Sequence, residues 1–183
     1  YNQDIGINST YEPIDTHSGV EVDPEITNQT ILDVVFYLKT LKAPVVRPHD
    51  NDILVGKSLF TSVGCGKCHR AEMKTGSSAI SSLSNKTFFP YSDLLLHNMG
   101  AGLDDGYTEG SAQTSEWRTP PLWGLGLSKN SQGGQYYLLH DGRASSIEEA
   151  VLLHGGEGTS SKENFESLSI DEQTKLIKFL ESL

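Results

Sequence analysis

The stretch Val63-Gly64-Cys65-Gly66-Lys67-Cys68-His69 (VGCGKCH, 63–69) contains the pattern C-x-x-C-H, the attachment signature of c-type haem. At 3.6 residues per turn, positions 65, 68 and 69 share one helix face. Two thiols can then add to the two vinyl groups of a porphyrin while the adjacent imidazole reaches the iron from the same side. His69 is thus the expected proximal ligand. A zinc site needs a second ligand pair, and the chain has only two cysteines. A thioredoxin-like redox pair belongs in a βαβ context, which the flanking sequence lacks.

The rest of the composition narrows the class around that motif. The chain has 183 residues, 24 acidic against 14 basic side chains and a formal net charge of −10. Such a surface repels nucleic acid and favours a redox partner with a basic docking face. No apolar run approaches the roughly 20 residues of a membrane span. Two cysteines cannot make a disulfide framework.

Amphipathic helices frame the motif. Ile31, Val34, Val35, Leu38 and Leu41 recur at helical spacing after Asp23-Pro24-Glu25, and Pro44 closes the pattern. Ser169 with Glu172 predicts a capping box for a last helix carrying Leu176, Ile177, Leu180 and Leu183. VVFYLKTL (34–41) and LIKFLESL (176–183) share an apolar pattern, which suggests two tandem domains ending alike, although any two amphipathic helices share much. On the tandem reading, residues 1–47 are the C-terminal remnant of a preceding domain with its linker. Residues 48–183 are then one complete unit. Within it, a helix is predicted after Asp52 through Val55, Leu59 and Phe60, a short one over Tyr91–Met99, and another over 146–154 behind Ser145-Ser146. Residues 1–21, 74–90 and most of 101–135 read as loop. With no strand alternation, the expected fold class is mainly α: a cytochrome c-like helical domain with long loops, enclosing one haem c.

Five segments in order carry a family resemblance: GKSLFTSVGCGKCH (56–69), YSDLLLHNMG (91–100), EWRTPPLWGLG (116–126), LLHDGRASSIEEAVLLHGGE (138–157) and the closing helix. They resemble the C-terminal haem domain of the bacterial di-haem cytochrome c peroxidases, and more closely the related di-haem oxidoreductases called thiol oxidoreductases. The resemblance implies tandem haem domains, so that residues 1–43 would end a first one, an upstream haem domain whose own C-x-x-C-H is not in this chain.

The sixth iron position decides between functions, since one protein ligand leaves haem open and two make an electron carrier. His154 has the best geometric case: Ile147, Ala150, Val151 and His154 form one helical stripe. In the resembling peroxidases the matching position supplies methionine, or tyrosine in one relative. Met99, before Gly100, is the alternative. Met73, one turn after His69, belongs to the proximal side, His97 to another helical face, and His140 to a supporting or interdomain role. Trp117, Pro120, Pro121 and Trp123 are expected as apolar walls of the haem pocket. Arg118 and Arg143 are candidates for haem propionates or for surface salt bridges. A carbonyl of the Pro120-Pro121 loop is the expected acceptor for the second nitrogen of His69.

Three functions fit: electron transfer through one six-coordinate haem, a peroxidase-like enzyme, and a gas-binding sensor. The first is favoured, because in the resembling peroxidases peroxide chemistry belongs to the other haem domain. Covalent attachment implies a periplasmic or other extracytoplasmic location.

Overall fold

A computed structural model describes residue 2, residues 6–15 and residues 17–183. The chain divides into two compact units, residues 1–43 and 44–183. The loop expected over residues 1–21 lies partly on residues 1, 3–5 and 16, outside the described ones.

The first unit contains helix α1, Asn28–Thr40. It starts later than Asp23-Pro24 suggests because the Thr27 hydroxyl accepts from the Thr30 N–H at 3.1 Å, supplying the cap. No residue of α1 is buried, and Leu38 and Leu41 are 58% and 55% exposed. Its apolar stripe is therefore uncovered.

In the second unit, α2 (Asn51–Ser62) begins at Asp50, whose carboxylate accepts from the Ile53 N–H at 2.9 Å. Four further helices follow: α3 (Leu125–Ser131), α4 (Ile147–Leu152), α5 (Thr159–Glu166) and α6 (Ile170–Ser182). α6 carries the predicted capping box of Ser169 and Glu172. Helices α2 and α6 pack so closely that a Cβ at Gly56 would strike the Lys175 carbonyl. Phe60, Tyr91 and Phe179 meet edge to face at centroid separations of 5.4–5.9 Å. Ile53, Val63, Ile147, Phe165 and Leu176 complete the core around them. Helix α5 was not anticipated: Phe165 is its one buried residue, too little to make an apolar period.

The mainly α expectation needs correction. Two small antiparallel sheets occur, β1 (Met73–Lys74) with β2 (Thr87–Phe88), and β3 (Leu96–Asn98) with β4 (Glu116–Arg118). Strands of two or three residues are too short to show alternation. The helix predicted over Tyr91–Met99 is absent because Tyr91 and Leu94 take left-handed backbone angles, φ 52° and 60°. The Ser92 hydroxyl accepts from the Leu94 N–H and donates to the Thr119 carbonyl, holding this bend against the 116–122 segment. The chain then extends, pairing Leu96 with Arg118, His97 with Trp117 and Asn98 with Glu116.

Candidate haem-attachment site

The C-x-x-C-H segment hangs from the end of α2. Gly64, at φ 102°, turns the chain out of the helix, and Asn164 of α5 donates to the Val63 carbonyl at 3.1 Å. Cys65–Lys67 then form one 3-10 turn, and the His69 N–H returns to the Cys65 carbonyl at 2.9 Å. Both thiols are free, and burial pushes Cys65 up to about 11. Burial also raises Cys68, reinforced by the charges of Asp93 and Glu157. Both therefore stay protonated thiols at neutral pH.

His69 Nδ1 lies 3.0 Å from the backbone carbonyl of Tyr91. This corrects the expectation of a Pro120-Pro121 carbonyl: the left-handed bend at Tyr91 brings its own carbonyl under the ring, and the Phe60–Phe179 aromatic cluster fixes that residue. Desolvation brings the His69 pKa down to about 4, with the nearby His154 opposing protonation further. The ring is thus neutral, and its anchored Nδ1 leaves Nε2 as the free donor.

His154 lies two residues beyond the end of α4. Its Nδ1 donates to the Ala150 carbonyl, 2.7 Å away, so Nδ1 carries the hydrogen and Nε2 is again the lone-pair nitrogen. Burial lowers its pKa as well. Met99 follows β3 directly, and the segment bearing it presses on the His154 turn: a Cβ at Gly155 would meet the Met99 carbonyl at 2.7 Å.

A clasp missed by the sequence reading binds these two segments. The Glu157 carboxylate accepts from the Asn98 N–H at 2.9 Å and from His97 Nδ1 at 2.9 Å, while His97 Nε2 meets Asp93 at 2.9 Å. Cys68 Sγ, an Asp93 oxygen and a His97 nitrogen lie within 4.8 Å of one another. Both His97 nitrogens face carboxylates, so this trio offers no imidazole lone pair to a metal. The only sequence signal was the i, i+4 spacing of Asp93 and His97, which in the event spans a bend.

The Glu157 and Asp93 hydrogen bonds raise the His97 pKa; Glu157 is lowered chiefly by His97. Burial pushes Asp93 up, but hydrogen bonds from Leu95, His97 and Thr119 outweigh it and hold it low. The raised imidazole stabilises the clasp fully below its ordinary pKa and stops doing so as pH rises through its folded value. The lowered carboxylates contribute above their ordinary pKa and lose that contribution as pH falls through their folded values. The clasp is therefore tightest between roughly pH 4.5 and 6.5. Hydrogen exchange of the Asn98 amide is expected to be slowest in that window after correction for intrinsic rates. Glu157→Gln should flatten the profile.

The remaining predicted residues make contacts of their own, and Trp117 lies opposite His97 in the β3–β4 pair. Trp117 is partly buried, donates from Nε1 to the Leu103 carbonyl at 2.8 Å and stacks on His140 at 3.3 Å. Trp123 is 36% exposed and packs near Phe88 at 6.0 Å; Pro120 and Arg118 are exposed. Arg143 pairs with Asp141 at 2.6 Å and donates to the Gly102 carbonyl at 2.7 Å.

Over residues 6–183 the chain matches the family described as "Di-haem oxidoreductase, putative peroxidase". The chain belongs to the di-haem oxidoreductase family. Its fold is also similar to a solved hydrazine synthase of Kuenenia stuttgartiensis, pressurised with xenon, at a TM-score of 0.51 and 16% identity. That match covers 91% of this chain and 59% of the other, and at such identity it speaks for the fold alone. No curated protein matches. Among the described residues, no helix is long and apolar enough to cross a membrane. Family membership supports a haem-based redox role for the chain, and the donor set fits such a group: two free thiols beside a neutral imidazole whose Nδ1 is already satisfied.

Proposed function

We propose that residues 44–183 hold one haem c, joined through Cys65 and Cys68 and ligated by His69 and His154, and that the unit transfers single electrons. The observation that carries this reading is the shared state of the two imidazoles. Each is half-buried and kept neutral by desolvation, each has Nδ1 tied to a backbone carbonyl, and each keeps Nε2 for a ligand. When bound, the haem supplies a one-electron iron couple. The protein holds the thiols in the protonated form that adds across a vinyl double bond, with sulfur going to one carbon and hydrogen to the other. It also orients the His69 ring through Tyr91.

The two-domain organisation is part of the proposal: residues 1–43 are the end of a preceding haem domain, supported by the uncovered apolar stripe of α1 and by the family's di-haem description. The acidic chain favours a redox partner with a basic face, and covalent attachment favours an extracytoplasmic compartment.

Absorption spectroscopy of the loaded protein tests the ligand pair. The ferric wild type is expected to be low-spin and slow to bind cyanide, and His154→Ala to alter that spectrum. High-spin ferric wild type that takes cyanide at once would overturn the two-ligand assignment in favour of an open site. An unchanged spectrum in His154→Ala would remove His154 from the iron.

A further inference from the structure

We infer that Met99 and His154 are alternative occupants of one coordination position opposite His69, His154 in the oxidised protein and Met99 in the reduced one. This rests on the reading that His69 and His154 bind the iron, and extends it to redox-linked exchange.

The geometry at Gly158 carries the argument. A Cβ built there would lie 3.2 Å from His154 Cδ2 and 3.4 Å from Met99 Cε. The imidazole edge and the thioether methyl therefore converge on the same point above one bare α-carbon. The two potential donor side chains thus border the same glycine and stand beside each other.

The two carriers are held together as a unit. A Cβ at Gly100 would lie 2.8 Å from the Gly156 nitrogen, so only glycine permits this backbone approach. Glu157 bridges the segments through the Asn98 N–H and His97. Meanwhile each ligand side chain stands just past the end of its own element, Met99 after β3 and His154 after α4. Exchange then needs side-chain and turn adjustment, with the clasped backbone pair left in place.

The chemistry gives the exchange a direction. Imidazole favours ferric iron, whereas thioether favours ferrous iron and raises the potential. On one-electron reduction of a bound haem by an external donor, His154 Nε2 would leave the iron and Met99 Sδ would take its place, one bond lost for one formed. Both groups bind and leave neutral, so no proton is consumed. Each site can bias an equilibrium only by its difference in affinity between the two oxidation states, which is what the ligand pair supplies.

Proton NMR of the dithionite-reduced protein tests this, alongside ferric absorption spectra of Met99→Leu, His154→Ala and the double variant. The reduced wild type is expected to show the strongly upfield methyl resonance of an iron-bound methionine, lost in Met99→Leu. Ferric His154→Ala should gain the near-infrared thioether-to-iron band, and the double variant should lose it and become high-spin. Met99→Leu nearly preserves volume, and an unchanged thermal melt separates ligand loss from misfolding. Absence of the upfield methyl from the reduced wild type, with His154 still required in the ferric state, would overturn the exchange alone. A ferric spectrum indifferent to His154→Ala would instead overturn the underlying ligand assignment.

Discussion

His69→Ala is expected to abolish the low-spin spectrum of the loaded protein while leaving the haem covalently attached. On the proposed assignment the two functions are separable, because Cys65 and Cys68 would make the attachment and His69 would supply the iron's fixed donor. In the native arrangement the Tyr91 carbonyl holds His69 Nδ1 at 3.0 Å, so Nε2 is preset before the cofactor arrives. Removing the ring leaves a position that free imidazole can fill. The expected result is a high-spin ferric spectrum that returns to low-spin when imidazole is added. A structural role alone would give loss of fold without rescue, and an unchanged spectrum would exclude His69 as a ligand.

Gly56→Ala is expected to destabilise the second unit by about 3 kcal/mol, the upper end of the usual overpacking range. Alanine is the better helix former by about 1 kcal/mol, so propensity alone would stabilise α2. The packing reverses that sign. The new methyl would collide with the Lys175 carbonyl and crowd Phe179 Cβ, which would be 2.8 Å away, and neither partner is the movable tip of a long side chain. Relief requires α2 and α6 to separate, opening the contact of Phe60 with Phe179, 5.4 Å between ring centroids. The melting temperature should fall by about 10 °C for a chain of this size. Gly76→Ala, where a Cβ meets nothing within 4 Å, is the control and should melt like the wild type. Equal melting of Gly56→Ala and wild type would contradict the helix packing described above.

Loss of stability at Gly56 would also reach the site. Phe60 and Phe179 pack on Tyr91, and Tyr91 presents the carbonyl that orients His69. The aromatic core and the ligand geometry are thus one construction, in which packing of side chains fixes a backbone acceptor.

That coupling explains what was legible in the sequence. Signals that act within a few residues were readable: the Ser169–Glu172 capping box, and Ser146 as the cap of α4, whose hydroxyl accepts from the Glu149 N–H at 3.0 Å. Interactions written in backbone geometry were not. Nothing in the side chains of Tyr91 or Leu94 announces a left-handed conformation, since glycine is its usual marker. Without that bend, 91–99 reads as a helix, β3 and β4 stay hidden, and the His69 acceptor is sought in a proline loop. The Glu157 bridge to β3 joins positions some sixty residues apart and leaves no local pattern. His154 illustrates the mixed case: its stripe was visible, while the helix stops two residues short of it and leaves it on a turn beside Met99.

The proposed site carries one covalent haem at Cys65 and Cys68. Intact mass under denaturing conditions, on protein produced with a cytochrome c maturation system, tests it most directly. The predicted result is the polypeptide mass plus one haem, resistant to acid extraction, falling to the bare polypeptide mass when both cysteines are replaced by serine. A wild-type chain that carries no added mass under those conditions would contradict it.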